Sequence, residues 1–306
     1  MLKSNKQLLD AADRGHYAVG AFNISNMELL QAVVRAAERQ RSPAIIQTTE
    51  GAVEYAGLRY LRDLFFSADE QTWVPLSMHL DHGRDLNIIR YAIRARYTSV
   101  MFDGSHLPFE KNIALTKRVV QWAHRKGVSV EAELGTIGGA EDKVSARHIL
   151  ATDPDAAVEF VKRTGCDALA IAIGTSHGAY KFAGKSHLDI ARLKTIKQKL
   201  KMPLVLHGAS GVPDYIIERA EKYGARLGHP KGVSDASIRA AIKAGINKIN
   251  IDSDLRLAFD AGIRQVLKTR PDVFDPRKIL GPARDLIQGV VERKMRLFGS
   301  AGKAKK

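Results

Sequence analysis

Two histidines and an aspartate close an apolar run in "VPLSMHLDHGRD", residues 74–85: His79, Asp81 and His82. A strand that should finish in a core ends in three titratable groups either because one is a satisfied structural histidine or because they do chemistry. The chain carries ten histidines, and two more close or follow strand-like runs: His177 in "GTSHGAY" and His207 in "LVLHGAS". His16, His106, His124, His148, His187 and His229 fall on helices or loops, where exposure is the ordinary outcome. Neutral imidazoles converging from separate strand ends, with one position left open, suit a catalytic zinc held by three protein ligands. The alternative is a set of polar histidines at the rim of a barrel, and the three lie too far apart in sequence for a local motif to decide. Glu131 and Glu133 end another strand-like run in "VEAELG"; Glu133 reads as a carboxylate near the metal or as a hydrogen-bonded rim acid.

Other strand ends carry anion-binding chemistry. "HGASG" (207–211) and "NIDSD" (250–254) offer Gly208 and Gly211 for close backbone approach, and the hydroxyls of Ser210 and Ser253. Backbone N–H groups at the following helix start can hold an anion. "GTSHGAYKF" adds Gly178 and Lys181. These could also be no more than tight turns. The glycine-rich "GTIGGAEDK" (135–143) carries Glu141 and Asp142, which suits a mobile lid bearing a proton-transfer group, or an ordinary solvated loop.

The elements that must position these groups alternate regularly. Strand-like runs cover 17–24, 43–49, 74–80, 99–104, 129–134, 168–173, 203–208 and 248–251, with segments of helical period between them. Asn26 is placed to cap "MELLQAVVRAAERQR", Pro108 to open a helix that closes at Gly127, and "DPDAAVEFVKRTG" to start on an acidic cap and stop at Gly165. Eight strands, each followed by a helix, predict a closed (β/α)8 barrel, a TIM barrel, whose continuously apolar strands are covered on both faces. A doubly wound open sheet is the alternative, but "AFNISN" after the first strand lacks the glycine-rich turn it requires. No linker divides the chain, so residues 1–306 read as one domain, with 299–306 a flexible tail.

Bulk properties exclude more than they identify. No stretch reaches the ~18 consecutive apolar residues of a membrane span, and "MLKSNKQLLDAADRG" reads as a short amphipathic helix, not a secretory signal. The single cysteine, Cys166, excludes an internal disulfide and suits a reducing cytoplasm. A net charge of +15 is spread along the helices and not gathered with aromatics, so no nucleic-acid partner is expected, and a basic field attracts anionic substrates such as sugar phosphates.

Together, "HLDHG", "VEAELG", "AIGTSHGAYK", "LHGAS", "NIDSDLRLAF" and the C-terminal "FDPRK…GPARD…FGSAGKA" resemble the class II, metal-dependent fructose-bisphosphate aldolases, from "VGAFN" to "FGSAG". The short lid resembles the branch that includes tagatose-bisphosphate aldolases. The resemblance implies that His82, His177 and His207 bind zinc, that Asp81 is the acid/base beside the first ligand, and that Glu133 lies near the metal. It implies that Glu141 on the lid moves the carbon-bound proton. It places Gly178, Lys181, Gly208 and Ser210 around the dihydroxyacetone-phosphate phosphate, with a bound K+ or Na+ near it, and Asn250, Asp252 and Ser253 against the same half of the substrate. Asn23 and Thr49 match polar positions at the first two strand ends, Thr49 standing where serine is frequent. Arg256, Asp275 and Arg277 match positions tied to the far phosphate, the last two reaching a neighbouring copy in a homodimer or homotetramer. Fructose 1,6-bisphosphate is then the expected substrate, cleaved through a metal-stabilised enediolate, with tagatose 1,6-bisphosphate the alternative and a zinc hydrolase on the same fold a more distant one. A Schiff-base route lacks its lysine: Lys143 and Lys181 are in loops, and Lys248 is read at the start of the last strand. In a regular strand His79 points away from His82 and reads as a buried structural histidine.

Overall fold

Ser4 starts the first helix with a reciprocal cap. Its Oγ accepts from Gln7 N–H at 3.3 Å, and Gln7 Oε1 accepts from Ser4 N–H at 3.0 Å. The helix that follows, Asn5–Arg14, buries Leu8, Leu9 and Ala12 together with Tyr17 against Val19, Ala21, Ile45, Ala168, Ala170 and Val205. Those last six residues face the inside of a closed barrel, so the N-terminal helix acts as its plug. The computed structural model describes residues 2–141, 144–146, 150–177, 188–227 and 232–305, with the backbone alone at 138–141, 144–146 and 177.

The described strands are β1 (Val19–Asn23), β2 (Ala44–Thr48), β3 (Leu76–Gly83), β4 (Ser99–Phe102), β5 (Ser129–Leu134), β6 (Gly138–Glu141), β7 (Val144–Ala146), β8 (Ala168–Ile171), β9 (Ser176–His177), β10 (Leu204–Leu206) and β11 (Ile246–Ile251). Eight of them close the barrel in the order β1-β11-β10-β8-β5-β4-β3-β2, and every pairing in it is parallel. This is the TIM barrel expected from the strand rhythm. Parallel strands need helical crossovers, and those helices cover the outer wall, where Phe22, Ile46, Met78, Leu80, Phe102, Leu169, Ile171, Leu206 and Ile251 form one continuous core with them.

Local signals act as their chemistry dictates. Asn26 accepts from Leu29 N–H at 2.9 Å to start the helix Met27–Gln40. Asp153 and Pro154 open Pro154–Thr164, which Gly165 closes in the left-handed conformation at φ 72°. Pro108 stands just before Phe109–His124 as its cap residue. The regular one-helix spacing is departed from after β2, where Gly57 at φ 83° divides Glu50–Ala56 from Leu58–Gln71. The glycine-rich segment read as a lid is not a plain loop along its backbone: β6 lies between β7 and β9, pairing Gly139 with His177.

The C-terminal segment is seated, in contrast to the flexible tail expected from 299. Gly302 N–H and Ala304 N–H donate to the carbonyls of Gln40 and Arg41, each at 2.8 Å, and Ser300 Oγ meets Ser42 Oγ at 2.8 Å. Basic residues dispersed in sequence also gather in part, with Arg90 and Arg118 at 5.0 and 4.8 Å from the Trp122 ring. Among the described residues no helix is long and apolar enough to cross a membrane.

If the first helix is a plug, its most buried leucine carries core energy. Leu9→Ala should lower unfolding stability by about 2–5 kcal/mol, read from the urea midpoint. A loss below about 0.5 kcal/mol would show that the barrel floor closes without it.

Candidate metal centre and active site

The mouth of the barrel is organised by an irregularity in β3. Leu80 pairs with Val100 but Gly83 with Phe102, so Asp81 and His82 together oppose the single residue Met101. His82 takes a positive φ of 47°, uncommon for a residue with a Cβ, and the strand bends around it. In a regular strand His82 would follow Leu80 into the outer core. The bulge instead turns it inward beside Asp81. His79 is therefore not on the opposite side: it keeps the inward face with Asp81, and His82 is the residue that breaks alternation. His79 is fully buried, as a structural histidine should be, with Nδ1 at 2.9 Å from Ser99 Oγ. Burial and the charge of Lys248 hold its pKa well below that of an ordinary imidazole.

The barrel sets partners around Asp81, His82 and His207. His82 Nε2 and His207 Nδ1 face each other at 2.8 Å. Asp81 receives the amides of Asn250 and Gln47, one on each carboxylate oxygen, both at 3.0 Å. His207 Nε2 lies 2.7 Å from Glu131 Oε1, and an ionised carboxylate only accepts, so the proton sits on Nε2 and Nδ1 keeps its lone pair toward the mouth. His82 Nδ1 stands 3.5 Å from Asp103 Oδ2, and Asp103 is itself gripped by Arg84 at 2.9 Å and by Ser105. Each imidazole thus has a carboxylate behind it, the arrangement that orients metal-binding histidines.

The donor set fits a cation. Ligand atoms of Asp81, His82 and His207 all lie within 4.8 Å of one another and are buried. Glu133 is 2% exposed, and its Oε2, 3.9 Å from His207 Nδ1, has no hydrogen-bond partner among the described residues. Burial and the neighbouring Asp103 push its carboxyl well above the usual range. His82 shows the same shortage of positive charge: burial disfavours its protonated form, but Asp81, Asp103 and Glu133 outweigh this and raise its pKa to about 10. A divalent ion would supply the charge that these groups otherwise draw from protons.

Around this centre the phosphate-type residues separate into groups. Asn23, Thr49, Asp252 and Arg256 line a pocket of about 310 Å3 at the barrel rim, with Ser25, Tyr55 and Phe259 among its other walls. Arg256 grips Asp252 through Nε and Nη2 at 2.8 and 2.7 Å. Ser210 Oγ accepts weakly from Asp252 N–H at 3.5 Å, and Ser253 begins the helix Ser253–Thr269. Gly208, at φ 60°, is needed because a Cβ there would stand 2.7 Å from Ser176 O, so its close approach is to the protein's own backbone. Asp275 and Arg277 bind each other on the exposed start of the helix Pro276–Phe298 and do not line this pocket. The side chains of His177 and Glu141, and Gly178 and Lys181 entirely, lie outside the described residues. Sequence reasoning did not single out Gln47, Asp103 or Tyr55, and it placed Lys248 at the start of a strand in which it is the third residue. The signal for Gln47 was a lone polar residue inside "PAIIQTT", and for Asp103 an acid at a strand's C-terminal end.

Comparison with known proteins agrees with the sequence resemblance. Residues 3–303 match the family described as fructose-bisphosphate aldolase class-II. A fructose-bisphosphate aldolase of Thermus caldophilus is 47% identical over 306 residues, covering 99% of this chain and 100% of that protein. One of Giardia intestinalis is 46% identical over 302 residues, covering 98% of this chain and 93% of its own. Among solved structures, the YdjI aldolase of Escherichia coli K12 superposes with a TM-score of 0.81 at 35% identity, covering 100% of both chains.

The charge shortage gives a pH signature. With a folded pKa of about 10 against 6.5, His82 in metal-free protein adds stability that is complete below pH 6.5 and lost as pH rises toward 10. Glu133, also raised, acts in the same sense above its ordinary 4.5. An ion bound through His82 would displace its proton, so the gap in thermal midpoint between zinc-loaded and chelator-stripped protein should widen from pH 6.5 to 10. A constant gap would contradict this reading of the site.

Proposed function

Because this chain belongs to the class II fructose-bisphosphate aldolase family, we propose that it reversibly cleaves fructose 1,6-bisphosphate to dihydroxyacetone phosphate and glyceraldehyde 3-phosphate at the barrel mouth. His82, His177 and His207 would hold zinc there, with Glu133 close by. The observation that carries the reading is the buried convergence of His82 Nε2, His207 Nδ1 and Asp81 at the C-terminal end of the barrel. When bound, zinc supplies a Lewis acid that polarises the substrate ketone and steadies the charge left as the C3–C4 bond breaks.

The chain's own groups do the rest. Asp81 takes the C4 hydroxyl proton as the bond breaks and returns it in condensation. Gln47 and Asn250 fix both of its oxygens, so the carboxylate meets the hydroxyl without rotating. Glu141 exchanges the proton on C3 of the dihydroxyacetone half. Gly178, Lys181, Gly208 and Ser210 hold the phosphate of that half, beside a monovalent cation, K+ or Na+, and Asn250, Asp252 and Ser253 position its remaining atoms. The rim pocket suits the far phosphate: Asn23, Thr49 and Arg256 line it, and Asp275 and Arg277 would come from a neighbouring copy of the chain. Tagatose 1,6-bisphosphate differs only at C4, so the two sugars are told apart by whether that hydroxyl faces Asp81.

Cleavage of fructose 1,6-bisphosphate should vanish on chelation and return with zinc, and should exceed cleavage of tagatose 1,6-bisphosphate run in parallel. Asp81→Ala should lower kcat by about 10²–10⁴-fold while the protein keeps its zinc. Cleavage that persists without metal, with borohydride trapping a lysine adduct, would overturn the mechanism.

A further inference from the structure

Below the mouth the barrel holds a charged layer that the reaction does not use. Lys248 and Glu131 are both buried, at 0% and 1% exposure, and Lys248 Nζ lies 2.8 Å from Glu131 Oε2. The layer has room for these long side chains because Ala21, Ala168 and Ala170 face inward, where barrels usually carry bulky aliphatic residues. Such a pair is costly to bury and contributes little net stability, so it is better suited to specifying geometry than to adding stability. Glu131 shares its two oxygens among three groups. Oε2 is ion-paired with Lys248, with His79 Nε2 at 3.5 Å, and Oε1 is hydrogen-bonded to His207 Nε2 at 2.7 Å.

A second group of ligand-type atoms, from His79, Asp81 and Glu131, also lies within 4.8 Å of one another. The Lys248 ammonium already occupies the side of Glu131 that such a site would need. Positive charge in the lower layer therefore comes from lysine, leaving the upper cluster for the metal.

We infer that Lys248 is a positioning residue of the metal centre: by anchoring Glu131 it locks His207 with its proton on Nε2 and its lone pair on Nδ1 toward His82. The inference rests on the proposed metal role of His207. Lys248 touches neither substrate nor metal and acts only through Glu131.

The test uses full-length protein as Lys248→Met, Glu131→Gln and the double variant. The double variant leaves no buried charge unpaired and preserves side-chain volume. Zinc affinity is measured by competition with a chromogenic chelator, and the His207 tautomer by ¹⁵N shifts of metal-free, histidine-labelled protein. The parent should show His207 protonated at Nε2. Each variant should lose about 10–100-fold in zinc affinity and show a mixed tautomer. The double variant should regain the parent's thermal midpoint without regaining zinc affinity. A double variant with that midpoint, zinc affinity within about twofold of the parent and an unchanged tautomer would overturn the inference, leaving a purely structural pair. These readouts need no substrate. Zinc loss in the variants of a parent that cleaves neither bisphosphate would support the positioning role while the aldolase reading failed.

Discussion

Four carboxylates, Asp81, Asp103, Glu131 and Glu133, are buried inside one barrel within reach of its mouth, and the rest of the site follows from what neutralises them. Taking an ion out of water costs several kcal/mol even after relaxation, so each carboxylate must find positive charge or strong donors. Asp103 has Arg84 and Ser105, Glu131 has Lys248 and the His207 N–H, and Asp81 has two amides. Among the described residues, Oε2 of Glu131 and Oε2 of Glu133 both lack a hydrogen bond; the first is ion-paired with Lys248, and the second stands beside the paired imidazoles. The remaining deficit thus lies where His82 and His207 converge. That is the physical case for a cation there, independent of family.

Two features of backbone and packing let the barrel carry this load. The β3 bulge brings consecutive residues, Asp81 and His82, to one face, putting a carboxylate and an imidazole side by side. The N-terminal plug and the small inward alanines divide the interior into an apolar floor and a polar upper half. The floor keeps water from the charged layer from below, and the low-dielectric surroundings strengthen every charge interaction above it.

Much of the barrel was legible because parallel strands covered on both faces read as unbroken apolar runs and helix caps have local chemistry. His207 and Asp81 were legible for the same reason: each is a titratable residue at the end of such a run. What escaped depended on contacts across the barrel. The inward turn of His82 comes from a register shift against β4 that no local pattern reports. Gln47 and Lys248 sit within apolar strands, where one polar residue reads as noise until its partner, Asp81 or Glu131, arrives from another strand. The seated C-terminus depends on carbonyls of Gln40 and Arg41, far away in sequence. Its small and basic composition suggested a loose end.

Lys248 supplies positive charge in the lower layer, and a metal bound at the mouth would supply it in the upper one. The most direct measurement is a crystal structure of the zinc-loaded protein, with diffraction recorded at the zinc absorption edge. A single anomalous peak is expected in the barrel, bonded to His82 Nε2 and His207 Nδ1, with the Lys248–Glu131 pair intact beneath it. A peak among His79, Asp81 and Glu131, or none at the mouth, would contradict this division of charge.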